Sequence, residues 1–247
     1  MRIPFVLLLC ALCLSRPAVS QPETITVPLL DKSEIGSPFQ VSGRFVLEES
    51  LHGNQLEWSW AQKVAVKNIS DKPIMLFVAT LTTIGRYPRG QRAAPGDGPT
   101  YVIEDDRFFD EKLIRPSESL TLRDTEPGTP EVACCVNPSA KKDPVAQYYL
   151  NFVQFADGST FGDPLQAQDV LALRETILHG LRELNQSSSE YGEQGFTAKL
   201  KEQSPFSATM PFRQILTTYG EGGVRAAIDK AKQILNAAER HAAAGSP

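Results

Sequence analysis

The residues best suited to chemistry lie in one stretch. Arg86, Arg89 and Arg92 stand among Pro88, Gly90, Pro95, Gly96, Gly98 and Pro99, and Glu104, Asp105, Asp106, Asp110 and Glu111 follow around Phe108 and Phe109. A long loop that turns from cations to carboxylates is suited to hold a partner or an anionic ligand. Its charges can equally pair with one another at small net gain. The candidate binding residues are therefore Arg86, Arg89, Arg92, Asp105, Asp106, Phe108 and Phe109. The competing chemistry is hydrolysis of a glycan, which needs two carboxyls as acid and base. Asp105, Asp106 or Asp110 would supply them, with Trp58 and Trp60 as a platform for a sugar. Those tryptophans alternate with Leu56, Val64 and Val66, however, which assigns them to the core side of a strand.

Other constellations are weaker. Ser139-Ala140-Lys141-Lys142 has the Ser-x-x-Lys spacing in which an amine activates a hydroxyl, but Pro138 and Pro144 make it a solvated loop without the companion motifs. Asp157 to Asp163 places oxygen ligands at alternate positions like the start of a calcium loop. Phe161 and Gln168 stand where that loop needs oxygen and a bidentate Glu, so a hairpin turn leading into a helix cap is the better reading. His52, His179 and His241 fit no zinc spacing, and His179 falls beside an apolar helical stripe as a core or boundary residue. Neither a Gly-x-Ser-x-Gly elbow nor a phosphate-binding glycine loop occurs, and no cofactor is expected. Asn68-Ile69-Ser70 and Asn185-Gln186-Ser187 fit the glycosylation sequon.

The chain of 247 residues carries 25 basic and 29 acidic side chains for a net charge of -4, with 41% hydrophobic residues. It can bury a core, and its charge argues against nucleic-acid binding. Arg2, the apolar run from Ile3 to Leu14 and the small residues Ala18-Val19-Ser20 have the pattern of a secretory signal peptide over residues 1–20. The run is too short for a bilayer anchor. Leu9 before Cys10 and Leu12 before Cys13 do not fit a lipidation site, so release without a transmembrane anchor is expected. Cleavage would take 2 of the 25 basic residues, leaving 23 against 29, a net charge of -6. Of the four cysteines Cys134 and Cys135 would remain. An adjacent pair can form a strained vicinal disulfide or pair with another chain, but buried, small apolar side chains are the simpler expectation.

These groups need a scaffold. From residue 21 to 162 short apolar stretches are divided by Pro, Gly, Asn and Asp, as in an antiparallel β domain. Leu56 to Val66 alternates as a half-buried strand, Asn68 to Pro73 forms a turn, and Ile74 to Leu81 returns; the pair reads as a β-hairpin. Both parities of Ile74 to Leu81 and of Tyr148 to Phe155 are apolar, so something covers each face. From residue 163 to 247 the pattern is helical. Asp163 caps, Pro164 starts, and Val170, Leu173, Ile177, Leu181 and Leu184 form a stripe ending near Asn185. Gln186 to Glu190 reads as a linker, and further helices follow at Phe212 to Tyr219 and Val224 to Ala238, with Gly192 and Gly220 as the stops between helices.

Val64 to Ile74 resembles the strand, turn and strand common in immunoglobulin-like sandwiches of exported bacterial proteins. Ile114 to Leu120 is similar to a turn in such domains, with Ser117 where they usually carry Gly. The resemblance implies an immunoglobulin-like β-sandwich; together with the helical pattern after residue 162, an α+β protein is expected, an N-terminal antiparallel β-sandwich with a C-terminal helical region packed on it. The expected function is that of an exported, non-catalytic binding protein, periplasmic or secreted. Its expected partner is an envelope or extracellular protein or a glycan, with a carboxylate-pair envelope hydrolase as the alternative.

Overall fold

A computed structural model describes residues 22–87, 97–98, 100–134, 136–137, 139, 141–203 and 209–244. The expected signal peptide, Arg89, Arg92 and Cys135 lie outside the described residues.

Nine strands form one sheet that curls nearly into a barrel. They are β1 (Glu23–Asp31), β2 (Phe39–His52), β3 (Gln55–Asn68), β4 (Ile74–Ile84), β5 (Tyr101–Asp106), β6 (Ser119–Thr125), β7 (Glu131–Ala133), β8 (Val145–Phe155) and β9 (Thr160–Gly162). The order is β5-β4-β8-β1-β2-β3-β6, with β7 beside β3 and β9 beside β8. The halves are joined by β1. Its residues Glu23 to Pro28 pair antiparallel with β2, and Leu29 to Asp31 pair parallel with β8. At the open ends of the order, β5 and β6 approach at one point, where the Arg123 guanidinium lies 3.6 Å from the centre of the Tyr101 ring. No ladder joins these two strands.

The expected hairpin between β3 and β4 does not form. β3 pairs with β2, β6 and β7, whereas β4 pairs with β5 and β8. The turn after β3 carries the chain across to the other half of the sheet, and Asn68 holds that corner. Its buried amide donates to the carbonyls of Lys72 (2.9 Å) and Ile114 (3.1 Å), and its Oδ1 accepts from the Ser70 N–H and hydroxyl. With that side chain fully buried, the Asn68 sequon has no accessible acceptor in the folded protein. Nearby, Pro116 and Ser117 form the centre of a turn closed by Glu118 N–H to the Arg115 carbonyl at 3.0 Å. Ser117 takes φ 65°, the conformation for which the resembling domains use Gly.

Both faces of β4 are covered, as its two apolar parities demand. Ile74, Phe77, Ala79 and Leu81 enter the barrel core with Phe45, Leu47, Trp58, Trp60, Tyr148 and Val153. Leu76 and Val78 lie with Phe152 under Ala167 and Val170 of the helical region. Register shifts beside Met75 and between Val78 and Ala79 break strict alternation, so Ile74 joins the Phe77 face and Leu150 parts from Phe152.

The helical region begins as expected. The Asp163 carboxylate accepts the Leu165 N–H at 3.0 Å, with Pro164 at the first position of a 3₁₀ turn, Pro164–Ala167. Two long helices follow, α1 (Gln168–Glu202) and α2 (Met210–Ala244). Residues 186–190 are helical, not a linker. Gln186 Nε2 bonds the Glu190 carboxylate at 2.8 Å, Ser189 Oγ donates to the Asn185 carbonyl, and buried Phe196 and Leu200 anchor the helix beyond. The breaks in helical geometry fall at Gly192 (φ 63°) and at Gly223 (φ 77°), so the second lies three residues after Gly220. Ile177, Leu181, Phe196, Phe212, Ile215 and Leu235 form the interhelical core, which also receives Met75, Phe108 and Phe109.

Candidate functional site

Past the Tyr101–Arg123 contact the edges of β5 and β6 run along either side of a cleft of about 940 Å³. Phe77, Ile103, Leu120 and Leu122 form its barrel wall. The helices supply the opposite wall through Val170, Leu173, Arg174, Ile177, Met210, Pro211, Gln214 and Lys230. The turn after β5 closes it with Arg107, Phe109, Asp110, Glu111 and Lys112. Leu173 and Met210 are 43% and 61% exposed, so apolar surface stands open at the rim.

Two arginines organise its polar side. Arg107 grips Asp105 through Nε to Oδ1 at 2.9 Å and Nη2 to Oδ2 at 3.2 Å. Arg174 reaches from α1 to Asp106, with Nη2 to Oδ1 at 2.6 Å and Nε to Oδ2 at 3.0 Å, and gives Nη1 to Gln154 Oε1 at 2.8 Å. Its guanidinium lies 4.4 Å from the centre of the Phe108 ring, and Phe108 packs edge-on against Phe109. On the far side of Phe108, its carbonyl meets His241 Nδ1 at 2.8 Å. Bidentate pairs of this kind are strong and directional, so each carboxylate is held in place by its arginine. Asp110 differs. Burial pushes its carboxyl above the usual range, opposed by the Arg107 charge, and it also accepts a hydrogen bond from Gln214.

The structure thus brings Asp105, Asp106 and Phe109 to one cleft, with Phe108 buried beneath Arg174. It does not bring Arg86 there. Arg86 Nη1 donates to Glu49 Oε1 at 2.7 Å and to Glu23 Oε2 at 2.8 Å, in a cluster joined by Lys141. Lys141 is therefore engaged by Glu23 at 3.1 Å instead of serving Ser139. Trp58 and Trp60 lie in the barrel core. His179 is exposed and faces Glu183 at 3.5 Å, which corrects its expected core or boundary position. Cys134 is exposed, against the expectation of a buried thiol, because it follows β7 at the edge of the sheet. Asp157 to Gly162 is the β8–β9 hairpin, with Asp157 Oδ1 accepting the Ser159 N–H at 3.0 Å. Among the described residues no helix is long and apolar enough to cross a membrane.

Arg107, Arg174, Gln214 and Lys230 were not singled out by the sequence reading. For Arg174 a signal exists: it stands four residues after Val170 and three before Ile177, a charge inside the apolar stripe. Comparison with known protein families, curated proteins and solved structures finds no match for the chain.

Proposed function

We propose that this chain is an exported, non-catalytic binding protein, and that the cleft between β5, β6 and the two helices holds its partner, an envelope or extracellular protein or a glycan. The observation that carries the reading is the state of the carboxylates: Asp105 and Asp106 are each clamped by an arginine, beside an open apolar rim at Leu173 and Met210. Such a cleft is built to receive surface. Export rests on the signal-like segment at residues 1–20. A sandwich-like, immunoglobulin-related origin for the curled sheet belongs to the same proposal. It is supported by β1, which leaves β2 to pair with β8.

The test is capture of partners from a native envelope extract by wild type and by a Leu173→Glu, Met210→Glu double variant. Both residues are exposed, so the fold should tolerate the charges. A partner lost in the double variant supports the cleft, and identical partner sets overturn it. Asp110 favours a second reading, since a carboxyl raised by burial is suited to donate a proton to a glycosidic oxygen. Glycan hydrolysis that Asp110→Asn abolishes would establish that alternative; hydrolysis that survives Asp105→Asn with Asp110→Asn would sink it.

A further inference from the structure

β5 and β6 end the strand order of the sheet, and among the described residues no ladder pairs either of them on its far side. The register decides which backbone groups this leaves open. Arg107 N–H donates to the Met75 carbonyl at 2.8 Å, and the antiparallel register continues from that pair without a break, from Asp106 opposite Leu76 to Tyr101 opposite Leu81. Bonded pairs alternate along such a ladder, so Asp105 and Ile103 turn their N–H and C=O groups to β4, while Glu104 and Val102 turn theirs to the open edge. On β6, Asn68 N–H donates to the Glu118 carbonyl at 2.9 Å. The same alternation gives the Leu120 groups to β3 and leaves those of Ser119 and Thr121 at the open edge. Both edges border the cleft, β5 through Ile103 to Asp106 and β6 through Leu120 to Leu122. A row of unpaired N–H and C=O groups is a template for another strand.

We infer that the cleft takes an extended polypeptide segment of its partner, which enters between β5 and β6 as an added strand. The inference rests on the reading of this cleft as a binding site and names what it binds. Traced through the sheet, with every pair antiparallel except β1 with β8, the strands β5 and β6 run in opposite directions. A strand between them is antiparallel to one and parallel to the other, as β1 already is between β2 and β8. Its alternate side chains meet two apolar walls. Phe77, Ile103 and Leu122 belong to the barrel core, and Leu173, Ile177 and Met210 face them from the helices, so an apolar segment fits. Charge complementarity fixes one position. Glu104 is exposed at the open edge, lies opposite Val78 on β4 and has no ion pair among the described residues. A Lys or Arg of the added strand beside it supplies the missing cation. A glycan has no row of donors and acceptors with the two-residue repeat of a strand edge, so the open backbone favours a peptide.

The experiment selects binders to the full chain from a displayed library of random peptides, each about nine residues long to hold a strand of about five or six with flanks. Enriched peptides are expected to share an apolar run with a Lys or Arg in or beside it. A synthetic hit is then compared with copies N-methylated at alternate residues, which keep every side chain but lose the N–H groups that pair with an edge. Binding is expected to weaken about tenfold or more. Glu104→Pro removes an N–H that β4 does not use, a change that an edge strand tolerates, and is expected to match that loss. Glu104→Thr keeps the N–H and should weaken binding only about threefold. Hits indifferent to methylation and to Glu104→Pro are held by side chains alone and overturn the added strand. No enrichment also overturns it, and envelope capture then separates the two readings. A partner lost in the Leu173→Glu, Met210→Glu variant leaves the cleft standing with a glycan or a folded surface in it, whereas an unchanged partner set overturns the cleft as well. Thermal unfolding establishes that each variant folds; if Glu104→Pro does not, the methylated peptides decide alone, since they leave the protein unaltered.

Discussion

Arg174 and Asp106 join the first long helix to the last residue of β5 through two parallel hydrogen bonds, 2.6 and 3.0 Å long. Arg174 is 6% exposed, yet every polar atom near its head is used: Asp106 takes two donors, Gln154 a third, and Phe108 stacks on its face. The pair fixes how the helices sit against the edge of the sheet, and so fixes the width of the cleft. Removing one partner leaves the other buried without a counter-charge, which costs about 3–5 kcal/mol. Arg174→Ala is expected to lose stability in that range by urea denaturation. Arg174→Lys should recover little, since a point charge cannot reproduce the fork. Asp106→Leu with Arg174→Leu should be better tolerated than either single change.

Arg86 and Glu49 form a second buried pair, at 2.7 Å, away from the residues that line the cleft. Burial raises the Glu49 carboxyl despite Arg86, with Lys141 at 4.0 Å and Glu23 also facing it. A carboxyl whose folded pKa exceeds its unfolded one favours the fold below the unfolded value, and that contribution is lost as pH rises through the folded value. Arg86→Met removes the strongest opposing charge and should raise the Glu49 pKa further. The variant is expected to be least stable at neutral pH and to regain stability on acidification, measured as a denaturation midpoint across pH 4 to 8. A midpoint parallel to wild type over that span would show that Glu49 finds another partner.

Ser117 sits at φ 65° in an exposed turn. A residue with a Cβ pays about 1–2 kcal/mol in left-handed backbone, and part of that gain is offset when glycine frees the unfolded chain. Ser117→Gly should therefore stabilise the protein by about 0.5–1 kcal/mol, visible as a higher melting temperature. Ser117→Val should act in the opposite direction.

What could be read from the chain divides by the range of the interaction responsible. The Asp163-Pro164 start, the buried Trp58 and Trp60 and the two-sided burial of β4 follow from local pattern, and each is present. The turn at Asn68 is local too, but whether its flanking strands pair with each other depends on the distant Ile114 carbonyl that Asn68 binds. Residues 186–190 look like a linker because their own propensity is poor; Phe196 and Leu200, packed on α2, carry the helix through. The same limit hid the cleft. Asp105 and Asp106 are visible as acids, but the arginines that neutralise them come from two positions beyond and from a helix 68 residues away.

Asp110 offers a test that separates burial from catalysis. Its carboxyl is raised chiefly by burial, so the folded protein holds the charged form less favourably than the unfolded chain does. By linkage, this group supports the fold below its unfolded pKa, near 4, and loses that support as pH rises through its folded pKa. Asp110→Asn keeps the shape and stays neutral. Its stability should exceed that of wild type at pH 7, and the difference should shrink toward pH 4, where wild-type Asp110 is itself increasingly protonated. Gln214 can still bond the substituted side chain, so packing is little changed. If the variant is instead less stable at pH 7, the Arg107 and Lys230 charges outweigh burial, and Asp110 is an ordinary ion-paired carboxylate with no proton to give.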